Sequence, residues 1–210
     1  MRILNSRFWL ATLFTLGLGN AQPALAGEEG KQSRAEVSVL GGMQALNSND
    51  TAIPDHYINV PLVAIATYRF TPQLALEGDF SWIIPISQQV DVSGSQSDKK
   101  SPDILSYQGA VRASWPLSGW TPYVAAGGGA VTFLSNTDPD RLPQIAKSQT
   151  VPAVNFGAGA TWPLNGALGL RGDFREVVAF PSDTDPGLST AGKGDPIWME
   201  RVTLGLSWGF

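Results

Sequence analysis

The sequence predicts an all-β fold: an eight-stranded antiparallel up-and-down transmembrane β-barrel behind a cleaved N-terminal signal peptide. Three observations predict it. Polar and apolar residues alternate with period two through eight runs, the spacing of strands with one apolar face. Most runs cover 10–14 residues, closer to the ~9–11 of a tilted membrane strand than to the ~5–6 of a soluble one. The segments between them are alternately long and short, as in a barrel with loops at one end and tight turns at the other.

Residues 1–26 have the three parts of a secretory signal. Arg2 and Arg7 are its basic start, residues 8–18 an apolar run, and Ala24-Leu25-Ala26 a small-residue cleavage site. The apolar run is too short for the ~20 residues of a spanning helix. Cleavage puts Gly27 at the mature N-terminus, with residues 27–210 as the barrel. No apolar stretch of spanning-helix length follows.

In the first run Val37, Val39 and Met43 oppose Glu36, Ser38 and Gln44. The second, residues 59–70, sets Leu62, Ala64, Tyr68 and Phe70 against Thr67 and Arg69, though Val63 and Ile65 make its polar side partly apolar. In the third, residues 74–84, Leu74, Leu76, Phe80, Trp82 and Ile84 face away from Glu77, Asp79 and Ser81. The fourth places Leu105, Tyr107, Val111, Ala113 and Trp115 opposite Ser106, Gln108, Arg112 and Ser114. The fifth is rich in Gly and Ala, with Tyr123, Val131 and Phe133 as its apolar side. Val154, Phe156, Ala158, Ala160 and Trp162 oppose Asn155, Gly157, Gly159 and Thr161 in the sixth. The seventh, residues 167–180, puts Leu168, Leu170, Phe174, Val178 and Phe180 against Arg171, Asp173 and Arg175. The eighth, residues 201–210, is apolar at every even position.

Short connections at 71–73, 116–119 and 163–166 each contain Pro, Gly or both, which suits tight turns. The long ones, at 45–57, 84–103, 134–150 and 179–197, are polar. Both termini then lie at the short-turn end. Trp115, Trp120, Trp162 and Trp208 fall near the turns and Trp82 and Trp198 near the loops, two girdles where amphipathic rings favour the lipid–water interfaces. The alternative, a secreted lipocalin-like barrel, requires a polar exterior.

Composition narrows function. With no Cys and one His, thiol catalysis, disulfides, iron–sulfur clusters and cysteine-bearing zinc sites are excluded. Loss of Arg2 and Arg7 from 14 basic residues leaves 12 against 18 acidic ones, so no basic stripe points to nucleic acid.

The terminal pattern Leu204, Leu206, Trp208 and Phe210, the segment Thr121-Pro122-Tyr123-Val124 entering a Gly-rich strand, and Gly157-Ala158-Gly159 in the next resemble the small eight-stranded outer-membrane β-barrel family, that of the OmpA-type transmembrane domain. The resemblance covers residues 27–210. It implies a Gram-negative outer membrane, with lipid and lipopolysaccharide as surroundings and the last strand as a signal for the barrel-assembly machinery. No cell-wall-binding domain is expected after strand eight.

If the apolar faces meet lipid, the inward charged residues are Glu36, Arg69, Glu77, Asp79, Arg112, Arg171, Asp173, Arg175 and Arg201. An eight-stranded barrel has an interior that side chains just fill, and buried charges persist only when paired. An ion-pair plug is therefore expected. Residues 74–80 (LALEGDF) and 168–174 (LGLRGDF) are alike and belong to strands three and seven, opposite in the ring. Val63 and Ile65 with Leu40 and Val124 hint at an apolar interior patch.

No catalytic or metal site is expected. His56 in Asp55-His56-Tyr57 lies at the loop end, where lipid A-modifying barrels act, but has no serine partner assignable from spacing. Asp138, Asp140, Asp183, Asp185 and Asp195 offer oxygen ligands but lack calcium-loop spacing. The expected function is a non-enzymatic, monomeric barrel that supports envelope integrity and presents loops, without cofactor. The alternative is a narrow channel for ions or small apolar solutes.

Overall fold

The computed structural model describes residues 33–48, 57–92, 95–183, 185, 188 and 194–210. The signal-peptide and His56 expectations lie outside these residues. Among the described residues there are ten strands. Eight close the barrel: β1 (Ala35–Ser48), β2 (Tyr57–Arg69), β3 (Leu74–Pro85), β6 (Ile104–Ser114), β7 (Thr121–Phe133), β8 (Gln149–Asn165), β9 (Leu168–Ala179) and β10 (Ile197–Gly209). Each pairs antiparallel with its neighbours along the chain, and β1 meets β10 to shut the ring. Closure leaves no sheet edge in hydrocarbon, where unpaired backbone groups find no water.

Alternation sets which side chain goes where. Along β2 buried and exposed residues alternate from Tyr57 to Tyr68. Outward positions hold Val39, Leu62, Phe80, Val111, Phe156 and Leu204, all exposed, an apolar exterior that a soluble barrel would lack. Of the six tryptophans predicted for the girdles, Trp82, Trp115, Trp120, Trp162 and Trp208 are exposed and Trp198 is half-buried. Trp120 and Trp162 stack with ring centroids 6.4 Å apart.

Four expectations for the barrel strands need correction. Tyr123, Val131 and Phe133 face the lumen rather than lipid. On the Gly/Ala-rich β7 the outward partners Ala126, Gly128 and Ala130 carry too little apolar surface to reveal the phase. Val124, expected inside, is instead exposed, whereas Leu40, Val63 and Ile65 do form a buried interior cluster. Val178 is buried together with Val177 and Ala179, so alternation ends where β9 reaches the loop end. Finally, β8 runs on to Asn165 through a register shift between Pro163 and Asn165. This leaves a two-residue turn in which Gly166 takes a φ of 47°, a conformation that favours glycine.

The second long connection contains a hairpin that the expected eight strands omit: β4 (Gln88–Val92) and β5 (Ser95–Lys99). Its signal was Val90 and Val92 alternating with polar residues before Ser93-Gly94, a hairpin-turn pair. The Gln88 side-chain amide holds the hairpin to the rim, accepting from Ile58 N at 3.0 Å and donating to Ile58 O at 3.1 Å. The loop after β7 joins it: Lys99 Nζ donates to Pro139 O at 2.8 Å and Lys100 N to Asp140 O at 2.8 Å. Arg141 pairs with Asp103 at 2.7 Å.

Candidate functional site

The lumen is divided along its length. Toward the loop end the inward ends of the strands are apolar: Leu46, Tyr57, Ile83, Phe133, Val151 and Met199 form one buried cluster. Two loop side chains, Ile145 and Leu188, pack into it. Ile145 is positioned by a short antiparallel bridge to Asn136, with N–H to O distances of 2.7 and 3.0 Å. Sequence reasoning glimpsed only the smaller patch at Leu40, because the apolar residues here lie at strand ends bordering polar loops.

Toward the turn end the lumen is charged. All nine residues expected inside are directed there, and all but Arg69 are buried. The centre is Glu77. Arg171 Nη2 donates to its Oε1 at 2.8 Å, Arg112 Nη1 to the same oxygen at 3.2 Å, and Arg175 Nη2 to Oε2 at 3.0 Å. Thr67 adds a hydroxyl donor at 3.3 Å. Glu77 and Arg171 occupy the one charged position at which residues 74–80 and 168–174 differ. Their strands, β3 and β9, are opposite in the ring, so the pair spans the lumen.

Asp173 is the second acidic centre. Its Oδ2 accepts from Arg175 Nη2 at 3.1 Å, Arg171 Nη2 at 3.4 Å and the Tyr123 hydroxyl at 2.7 Å. Tyr123, whose ring the alternation pattern sets toward lipid, is a full member of the network. Its oxygen accepts from Arg171 Nε at 2.9 Å, and its ring lies under the Arg112 guanidinium with 3.8 Å between carbon and centroid, a cation–π contact. A Cβ at Gly159 would stand 2.3 Å from the Tyr123 hydroxyl oxygen, so that inward glycine makes room for the ring.

Two further pairs complete the set. Arg201 pairs with Asp79 and donates to Ser81, while Ser81 donates to Asp79 Oδ1 at 2.5 Å. Near the turn-end rim Arg69 pairs with Glu36. Asn155 and Gln108, whose lack of charge gave no signal in the sequence, extend the network: Arg175 Nη1 donates to Asn155 Oδ1 at 3.1 Å, and Asn155 Nδ2 to Gln108 Oε1 at 3.1 Å. Side chains thus meet across the lumen from opposite walls.

The loop aspartates serve local backbone. Asp183 Oδ1 accepts from Gly194 N at 2.8 Å and Asp138 Oδ1 from Asp140 N at 3.1 Å. Among the described residues no group of three or more His, Asp or Glu is placed to hold a metal ion.

The model of the outer membrane protein beta-barrel domain matches residues 11–210. The chain belongs to that family. Its compartment is therefore the outer membrane, and the resemblance read from Leu204 to Phe210 and the Gly-rich strands is correct at family level. Among solved structures, Neisserial surface protein A (NspA) is similar with a TM-score of 0.54 at 13% identity, over 85% of this chain and 98% of that one. The N-terminal barrel domain of Pseudomonas aeruginosa OprF gives a TM-score of 0.49 at 15% identity, over 85% and 98%. The likeness to NspA concerns the fold alone. No match is found among curated proteins.

Proposed function

We propose that this outer-membrane barrel is a non-enzymatic, non-conducting monomer that supports envelope integrity and holds its loop end outward for surface interaction. The observation that carries the reading is the packed charge network: the Arg112, Arg171, Arg175 and Arg201 side chains are at most 2% exposed. Ions crossing the lumen would have to separate Glu77 from three guanidinium groups in a low-dielectric interior. In this reading both termini are periplasmic, the long connections are extracellular, and the wall sits among lipid and lipopolysaccharide. Leu204, Leu206, Trp208 and Phe210 are the assembly signal on the closing strand. The cross-linked β4–β5 hairpin and the loop holding Arg141 give the outer end a fixed surface, the usual place for recognition on a rigid scaffold.

Planar-bilayer conductance of the refolded protein tests this. A barrel that shows heat-shifted gel mobility should be electrically silent, and Glu77→Ala should introduce discrete steps. Reproducible steps in the unaltered protein would replace the proposal with the ion-channel alternative.

A further inference from the structure

Three buried N–H donors stand side by side on the inner wall without acceptors. In the register of the sheet Arg201 on β10 lies opposite Gln44 on β1, and Gln44 lies opposite Asn59 on β2. Arg201 Nε, Gln44 Nε2 and Asn59 Nδ2 are all buried and unpartnered. The rest of each group is fixed: the Arg201 terminal nitrogens face Asp79, and Asn59 Oδ1 accepts from Ser101 at 3.0 Å. One register row nearer the loops come Met199, Leu46 and Tyr57. Of these three only Tyr57 carries a polar side-chain group, and its hydroxyl too is buried without a partner.

Buried polar groups in folded proteins are almost always satisfied, so a cluster of adjacent vacant donors calls for an acceptor. Charge says which kind. Among the described residues the inward charged side chains are five arginines (Arg69, Arg112, Arg171, Arg175, Arg201) and four carboxylates (Glu36, Glu77, Asp79, Asp173), which leaves one positive charge in excess along the lumen. Above the donors the wall is lined mainly by apolar side chains up to Ile145 and Leu188, which enter from the loops and close it. Below them the Glu77 network ends the lumen.

We propose that the loop-end half of the lumen is a closed-ended binding site for a single-chain anionic amphiphile. Its carboxylate accepts from Gln44 Nε2, Asn59 Nδ2 and Arg201 Nε, offsets the excess charge, and is reached by the Tyr57 hydroxyl. Its alkyl chain displaces Ile145 and Leu188 and lies against Leu46 and Met199. Water could satisfy the donors but not the charge.

The test is calorimetric titration of decanoate into the refolded barrel in phosphatidylcholine nanodiscs, with empty nanodiscs as the partition baseline. Saturable single-site binding is expected, with decanol at least tenfold weaker. Gln44→Leu and Asn59→Leu should each weaken decanoate about tenfold, the scale of one hydrogen bond to a charged group. Gln44→Glu removes a donor and supplies the missing negative charge, so it should fold, by gel mobility, and lose decanoate binding. Heat no greater than the empty-disc baseline overturns the proposal. So does equal binding of decanoate and decanol, or decanoate affinity unchanged in Gln44→Glu, since these mean apolar partition or trapped water only.

Discussion

At the loop end the barrel wall turns Leu46, Ile83, Phe133 and Val151 inward, whereas toward the turns it presents Glu77, Arg112, Arg171 and Asp173 to the same narrow space. The apolar half is held by contact area, so each side chain is replaceable by another of similar volume. The charged half is held by pairing, in which each ion depends on named partners from other strands. Removing one member leaves a buried charge without compensation. The two halves therefore fail differently, one by degrees and the other by loss of a partner.

The largest effect should follow Glu77→Ala, which strips three arginines of their shared acceptor. A loss of about 3–5 kcal/mol is expected from breaking a buried ionic cluster, measured by urea unfolding of the refolded barrel in lipid with tryptophan fluorescence. Leu46→Ala attacks the apolar half and should cost about 2–4 kcal/mol through the cavity it leaves, with the bilayer still electrically silent. If Leu46→Ala conducts and Glu77→Ala does not, the seal belongs to the apolar half and the comparison is reversed. Tyr123→Phe sits within the charged half but removes only one hydroxyl. About 1 kcal/mol should be lost, because Asp173 keeps Arg171 and Arg175. A cost as large as that of Glu77→Ala would make the tyrosine, not the glutamate, the centre of the plug.

Period-two alternation made the barrel legible, because a membrane wall requires strands with an apolar outer side and a closed ring. The inward set was readable for the same reason on strands with strong contrast, such as β3 and β9. Partners within it were not. Glu77 finds Arg171 through the closure of the ring and the reach of a guanidinium across the lumen, and neither is written in local spacing. Tyr123 was misplaced because the outer face of β7 is mostly Ala and Gly, so its ring looked like the lipid-facing member. The apolar loop half stayed hidden because residues such as Leu46 and Ile197 border polar connections and look like strand ends.

The Gln88 amide bonded to both backbone groups of Ile58 has a consequence for self-association. Where β3 stops at Pro85, its neighbour β2 continues for two more residues, Ile58 and Tyr57, and an uncovered stretch of strand recruits other chains. A side-chain carboxamide carries the same donor and acceptor as a peptide unit, so Gln88 fills that rung from within the chain. A second copy meeting the rim at this point finds no free backbone pair onto which to add a strand.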